Sequence, residues 1–396
     1  MIAEKYDVIV VGAGPGGTST AKYLAEKGIN VVVFEKRQEI GAPKRCAEGL
    51  SENAVKLLGQ KIPKKCIAQT INGAIVYAPN GKSIEIKYKE TVGYVLERKV
   101  YDKWLAEEAA RKGAKIIVRA NVKDVIKSSN FIKGVVVEWE GKKYKVESKV
   151  VVAADGVEST IARKAGLNTT NLLINIDSGY QFEMVGIELE DPHKIVFYFG
   201  NKIAPRGYIW IFPKGKDKAN VGIGICGSFA EKSAREYLYE FVENNENLKN
   251  GSIIEINAGG IPVGGFLKNM VLDGLVVVGD AAHQVNPIHG GGVKEAQIAG
   301  KIAAEVIAEA IEKNDTSSKM LSKYNKIWWE QRGKELEKVQ KLREVIEKLS
   351  DEDLNFLAEH LTGKDLIDFT HGKNLIKLAK ILLKRPGLIK LAKHLF

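Results

Sequence analysis

Cysteine is scarce: the 396 residues hold only Cys46, Cys66 and Cys226, far apart along the chain. An odd, scattered set of thiols makes neither a disulfide framework nor a zinc site, and it suits a reducing cytosol. The six histidines are equally scattered and lack metal-ligand spacing, so no metal is expected. No apolar run reaches the roughly 18 residues of a membrane-spanning helix. Met1 to Lys5 leads straight into a strand-like run, which leaves no room for a signal peptide. These absences predict a cytoplasmic protein, with peripheral contact on the inner face of the membrane as a further expectation. Acids are missing from Lys373 to Phe396, and the whole chain carries a formal charge of +11. Such an excess fits an anionic lipid head group, an acidic redox protein or nucleic acid, or simply a lysine-rich solvated surface. Basic residues do not interleave with aromatics, so nucleic-acid binding is not expected.

What is present begins at Tyr6-Asp7-Val8-Ile9-Val10-Val11, a β-branched run with the length of a buried strand. Gly12-Ala13-Gly14-Pro15-Gly16-Gly17 follows, then a helix over Thr18 to Lys27 closed by Gly28, then a second strand ending at Glu35. A G-x-G-x-x-G between strand and helix, with an acid about 20 residues on, is a dinucleotide fingerprint. Gly12 permits the tight turn, Gly14 lets backbone N–H groups approach a pyrophosphate, and Gly17 lets helix and strand pack. The helix N-terminus turns its positive end to the phosphates, and Glu35 can accept from a ribose. At this point FAD and NAD both fit.

Further on, Lys44-Arg45-Cys46-Ala47-Glu48-Gly49 sets a thiol between cations and a glycine. Flanking cations favour thiolate, although a small space-filling residue is an equal reading. Ile71 to Tyr88 reads as a hairpin turning at Pro79-Asn80-Gly81-Lys82. Arg98 stands before a helix, able to reach a cofactor phosphate or ribityl chain, or to lie on the surface. From Gly166 to Phe266 the texture becomes that of an antiparallel sheet, with one helix over Ser228 to Asn244. At its centre is Pro205-Arg206-Gly207-Tyr208-Ile209-Trp210-Ile211-Phe212-Pro213. In a strand Tyr208, Trp210 and Phe212 share a face, as core or as one wall of an apolar ligand cavity. The strand Gly274 to Val278 then runs into Gly279-Asp280, His283 and Gly290-Gly291-Gly292 before a helix from Val293 to Ile311. A second strand, acid, glycine loop and helix is what a flavin with its ribityl chain requires, and it decides for FAD. Asp280 can hold ribityl hydroxyls, and N–H groups at Gly291 and Gly292 can meet negative charge on a reduced flavin. His283 is either a proton donor or a loop-bracing residue. The tail from Lys373 is a basic amphipathic helix, fit for an anionic membrane or for packing between helices.

Taken together, Gly12 to Gly17 with Glu35, Arg98, Ala154-Asp155-Gly156 and Gly279-Asp280 resemble the FAD-dependent group that includes aromatic hydroxylases. Within it, Arg45-Cys46-Ala47-Glu48-Gly49 and Pro205-x-x-Tyr208-x-Trp210-x-Phe212-Pro213 resemble the geranylgeranyl reductase family, on its archaeal digeranylgeranylglycerophospholipid branch. The resemblance covers nearly the whole chain. It implies FAD contacts at Gly16, Gly17, Glu35, Cys46, Ala47, Gly49, Arg98, Val122, Asp280, Gly292 and Val293. Ala47 departs from the glycine often found there. Gly291 and Lys294 replace the Gln and Asn of the hydroxylase branch, and the clustered cysteines of an iron–sulfur quinone reductase are missing.

The expected fold is α/β. A Rossmann-like FAD domain is discontinuous over 1–165 and 267–318, an antiparallel-sheet substrate domain occupies 166–266, and a helical region covers 319–396. The expected activity is FAD-dependent reduction of isolated C=C bonds in geranylgeranyl chains of archaeal-type glycerophospholipids. The flavin does the chemistry, with Cys46 assisting. The substrate-binding residues are Tyr208, Trp210 and Phe212. Electrons come from an external donor such as ferredoxin, a reduced deazaflavin or NAD(P)H. The competing expectations are a flavin monooxygenase of an apolar substrate and a flavin- and lipid-binding protein without turnover.

Overall fold

The computed structural model describes residues 2–395. Its first sheet grows around Lys5–Val11, which pairs in parallel with Val31–Phe34 on one side and Lys142–Ala153 on the other. Lys115–Ile117 and Leu275–Val277 extend the sheet, again in parallel. Strands buried on both faces must be apolar throughout, and the fully buried Val150 to Ala153 shows no alternation. The long strand Lys142–Ala153 serves twice. Its first half closes an antiparallel meander with Asn121–Ser128 and Phe131–Trp139, and its second half joins the parallel core. Helix Pro15–Ala25 starts three residues before the sequence expectation, because Pro15 fits the first helical position. It crosses helix Val293–Glu312 so closely that a Cβ on Gly300 would stand 2.6 Å from the Gly16 carbonyl oxygen.

The second sheet has seven strands in the order Ser252–Pro262, Ile176–Val185, Lys218–Cys226, Tyr208–Pro213, Lys194–Phe199, Gly73–Tyr77, Ser83–Lys87. Five lie within 166–266. The last two are the expected hairpin, which pairs with Lys194–Phe199 and covers what would otherwise be a bare edge. One face buries Phe182, Met184, Ile209, Ile211, Val221 and Ile223 under helix Ala234–Glu243. That helix is shorter than the sequence suggested. Gly227–Phe229 forms a separate 3-10 turn, and a capping box at Ser233 starts the helix proper.

Helices fill the C-terminal region. In the tail helix Leu375–Leu382, the aliphatic stripe turns inward: Leu378, Ala379, Ile381 and Leu382 pack with Leu342, Val345 and Phe369. Among the described residues of the tail, Ile376, Leu383 and Ile389 stay exposed as large apolar groups. The stripe is thus used for helix packing.

Candidate active site

The first glycine turn has the geometry its residues require. Gly12 has φ +102°, and a Cβ there would stand 2.3 Å from the Ala154 carbonyl oxygen. A Cβ on Gly17 would stand 2.0 Å from the Gly12 carbonyl oxygen. Gly14, which caps the helix, has open space around it. Glu35 folds back on this turn, accepting from the Ala13 N–H and the Arg37 N–H, both at 2.9 Å. Two amides leave part of a carboxylate's acceptor capacity free. Ala120 N–H donates to the Glu35 carbonyl at 2.8 Å, which brings Val122 to the same edge. Beside Gly12, Asp155 has one oxygen on the Ile161 N–H, and its other oxygen is buried without a partner. Burial raises its pKa.

The second glycine turn converges on this one. Asp280 follows strand Leu275–Val277 in a short 3-10 turn, Gly279–Ala282. Its Oδ1 lies 3.0 Å from where a Gly292 Cβ would be, so a side chain at 292 would crowd the carboxylate. Burial raises the Asp280 pKa, and Arg98 is the first cation opposing the rise. The Arg98 guanidinium forms a bidentate pair with Asp102, both bonds at 2.9 Å. Arg98 is therefore no surface arginine; its side chain is 12% exposed. His283 is buried, with its two ring nitrogens 2.6 Å from the Gly265 carbonyl and 3.1 Å from the Thr169 carbonyl. It braces the loop.

Between the two sheets lies the Cys46 loop. The sequence expectation that its flanking cations favour thiolate meets a different arrangement. The Lys44 ammonium is engaged by Glu183, Glu48 and Asn220, and Arg45 pairs with Glu158 at 3.1 Å. The thiol instead accepts from the Glu48 N–H at 3.2 Å. Glu48, at φ +76°, sends its carboxylate inward to Lys214 and Asn220, each at 2.7 Å. Burial opposes its ionisation, but Lys214 and Lys44 outweigh that and hold its pKa below the usual range.

The aromatic strand presents Tyr208, Trp210 and Phe212 on one face, while Ile209 and Ile211 enter the core. Phe197 and Phe199, paired opposite Trp210 and Tyr208, belong to the same face. Phe197 meets both Tyr208 and Phe212 edge-on, at centroid distances of 5.5 and 5.7 Å. On the other flank Gly222 and Gly224 lack side chains, and the Trp210 indole fills that space. This face reaches from the thiol loop to the second glycine turn. Phe212 packs on Gly49, and the Tyr208 hydroxyl lies 3.9 Å from a Gly290 Cβ position.

Residues 7–171 match the FAD dependent oxidoreductase family, and residues 175–261 match the geranylgeranyl reductase catalytic domain. The chain is 40% identical to digeranylgeranylglycerophospholipid reductase 2 of Methanopyrus kandleri, over 99% of each protein. It is 42% identical to the digeranylgeranylglycerophospholipid reductase of Methanocaldococcus jannaschii, over 99% of this chain and 98% of that one. The chain belongs to the geranylgeranyl reductase family. A solved geranylgeranyl bacteriochlorophyll reductase-like protein from Thermoplasma acidophilum superposes on this reductase with a TM-score of 0.91. It is 37% identical over 99% of this chain and 100% of that one. A flavin-dependent brominase at 20% identity and TM-score 0.73 shares the fold, over 93% of this chain and 94% of its own.

FAD is the cofactor of this flavin-dependent reductase. The open space at Gly14, the unpartnered oxygen of Asp155 and the close approach of Gly292 to Asp280 fit such a group. The structure folds Glu35 onto the first glycine turn and sets Gly292 against Asp280 and Gly49 against Phe212, while the Gly291 N–H, expected free for the flavin, donates to His289 Nδ1 at 3.1 Å. Sequence reasoning named Gly12, Gly14, Gly16, Gly17, Glu35, Cys46, Ala47, Gly49, Arg98, Val122, Asp280, Gly291, Gly292 and Val293 as one cofactor-binding set. It missed Phe197 and Phe199, whose alternation in Lys194–Phe199 was the available signal. It also missed Gln181, Asn220 and Lys214, which carry no local signal. Among the described residues no helix is long and apolar enough to cross a membrane, and no cluster of metal ligands occurs.

Proposed function

We propose that this reductase saturates isolated C=C bonds in geranylgeranyl chains of archaeal-type glycerophospholipids. The observation that carries the proposal is the aromatic face of Tyr208, Trp210 and Phe212. It reaches from Gly49 beside the thiol to Gly290 beside the second glycine turn. The names of the relatives from Methanopyrus kandleri and Methanocaldococcus jannaschii support the same substrate.

FAD, once bound and reduced, supplies hydride. The residues proposed to hold it are Gly12, Gly14, Gly16, Gly17, Glu35 and Val122 at the nucleotide end, with Arg98, Asp280, Gly291, Gly292 and Val293 along the ribityl and ring portion. Cys46, Ala47 and Gly49 close the reactive side. An isolated alkene has no neighbouring carbonyl to spread charge, so the protein must exclude water and deliver a proton as hydride arrives. The aromatic face excludes water and orients the prenyl chain. Cys46 is the side chain proposed to hold a proton at the reacting carbon. The Cys46 thiol would give its proton to the alkene carbon next to the one that would receive hydride from bound reduced FAD, and would be reprotonated from solvent.

Electrons come from an external donor: ferredoxin, a reduced deazaflavin or NAD(P)H. Because the substrate resides in a bilayer, the reductase works in peripheral contact with the membrane. In the tail Lys377 pairs with Asp365 at 2.6 Å, and Lys373, Lys380, Lys384, Lys390 and Lys393 face outward for an anionic surface. Photoreduction of the FAD-loaded protein without oxygen, followed by unsaturated archaeal-type lipid, tests the activity. Lipid-dependent return of the oxidised flavin spectrum supports it, and a spectrum unmoved by lipid rejects it.

A further inference from the structure

The Cys46 loop is fastened to the second sheet by side chains that no motif includes. The three carbonyls of Cys46, Ala47 and Glu48 are taken in turn. Gln181 Nε2 donates to the Cys46 carbonyl at 3.1 Å, Asn220 Nδ2 to that of Ala47 at 3.2 Å, and Leu96 N–H to that of Glu48 at 2.8 Å. The Glu48 carboxylate has four donors: Arg98 N–H at 2.7 Å on one oxygen, and Lys214, Asn220 and Lys44 on the other. Three donors thus crowd one oxygen of the carboxylate, and the other holds the backbone of Arg98. Lys44, Glu48, Lys214 and Asn220 are all buried, at 3, 1, 7 and 0% exposure. Removing one partner from such a set leaves unpaired charge inside the protein, so its geometry is over-determined.

Gln181 does more than hold the loop. Its Oε1 accepts from Trp210 Nε1 at 2.9 Å, and the indole it fixes lies against Gly222. One carboxamide thus sets both the height of the thiol loop and the tilt of the central aromatic ring. Strand Ile176–Val185 alternates in step with this use: Phe182 and Met184 go to the core, while Gln181 and Glu183 go to the loop.

We propose that Gln181 and Glu48 are positioning residues for the reductive step: Gln181 couples the Cys46 loop to Trp210, and Glu48 anchors that loop on a buried, charge-balanced cluster. The proposal rests on the reading that Cys46 and Trp210 flank the reacting alkene. Its test includes a readout that does not depend on that reading.

The experiment uses FAD-loaded Gln181→Leu and Glu48→Gln, with Cys46→Ala as reference. Cys66 and Cys226 are fully buried, so iodoacetamide labelling of the native protein reports Cys46. Wild-type FAD content and circular dichroism select the folded variants. Gln181→Leu is expected to alkylate Cys46 at least threefold faster than wild type. It should also reduce lipid at least tenfold more slowly at saturation, with KM changed less. Glu48→Gln is likewise expected to alkylate Cys46 at least threefold faster than wild type, since the loop loses the carboxylate on which four donors converge. If both variants label and turn over like wild type, the positioning roles are wrong. If Cys46→Ala turns over like wild type while Gln181→Leu still labels fast, the thiol's chemical role falls and the positioning role stands.

Discussion

Phe212 lies against Gly49 so closely that a Cβ on the glycine would come within 2.6 Å of the ring. The glycine of the thiol loop is therefore there for the aromatic strand. Gly49→Ala is expected to cost about 1–3 kcal/mol through overpacking. It should also displace Phe212 and raise KM for the lipid. Thermal unfolding and lipid kinetics check this together. Unchanged values in both would mean that the ring moves aside freely.

Gly12 is a sharper case, because space and backbone conformation both exclude a side chain. At φ +102° and 2.3 Å from a carbonyl oxygen, an alanine is strained whatever moves. Gly12→Ala is expected to lose about 2 kcal/mol or more of stability and most of its bound FAD. Absorbance of the purified variant at flavin wavelengths, normalised to protein, measures the loss.

Trp210→Phe removes the indole N–H and leaves Gln181 Oε1 unpaired in a buried site. A lost partner of this kind costs about 1–3 kcal/mol. Turnover on lipid should fall further than FAD affinity, because the indole faces the proposed chain path. Single-turnover kinetics beside FAD titration separates the two effects.

Two sets of carboxylates give opposite pH responses. Burial raises the pKa of Asp177 to about 6 and that of Glu347 to about 7, only partly offset by Arg343. The folded state holds these protons more tightly than the unfolded chain does. Their contribution to stability is therefore lost as pH rises from about 4 to about 7. Glu183 goes the other way. Burial opposes its ionisation, but Lys218 and Lys44 overcome it and bring its pKa to about 2. Its contribution is present above its ordinary range near 4.5 and is lost as pH falls toward 2. Glu347→Gln is expected to raise Tm at pH 8 and leave it unchanged at pH 4. Melting curves across that range check the sign.

How far the sequence reveals this depends on whether the chemistry is contiguous. Gly12 to Gly17 with Glu35 was legible because turn, cradle and acid lie within one βα unit. The aromatic face was legible as a period of two at Tyr208, Trp210 and Phe212. Gln181 was not legible, because it meets Cys46 across 135 residues and nothing near it in the chain points to that contact. The hairpin over Gly73–Tyr77 and Ser83–Lys87 could be read, but its joining the second sheet could not, since edge pairing uses backbone groups that every residue carries. The cations beside Cys46 invited a local reading that the folded chain replaces, because Lys44 finds Glu183 on a distant strand.

The most direct measurement of the central claim is mass spectrometry of a digeranylgeranyl phospholipid after anaerobic incubation with the FAD-loaded protein and a low-potential donor. Stepwise gain of hydrogen pairs, abolished when the bound FAD is removed, is the expected result. Lipid of unchanged mass, with the flavin demonstrably reduced throughout, would contradict it.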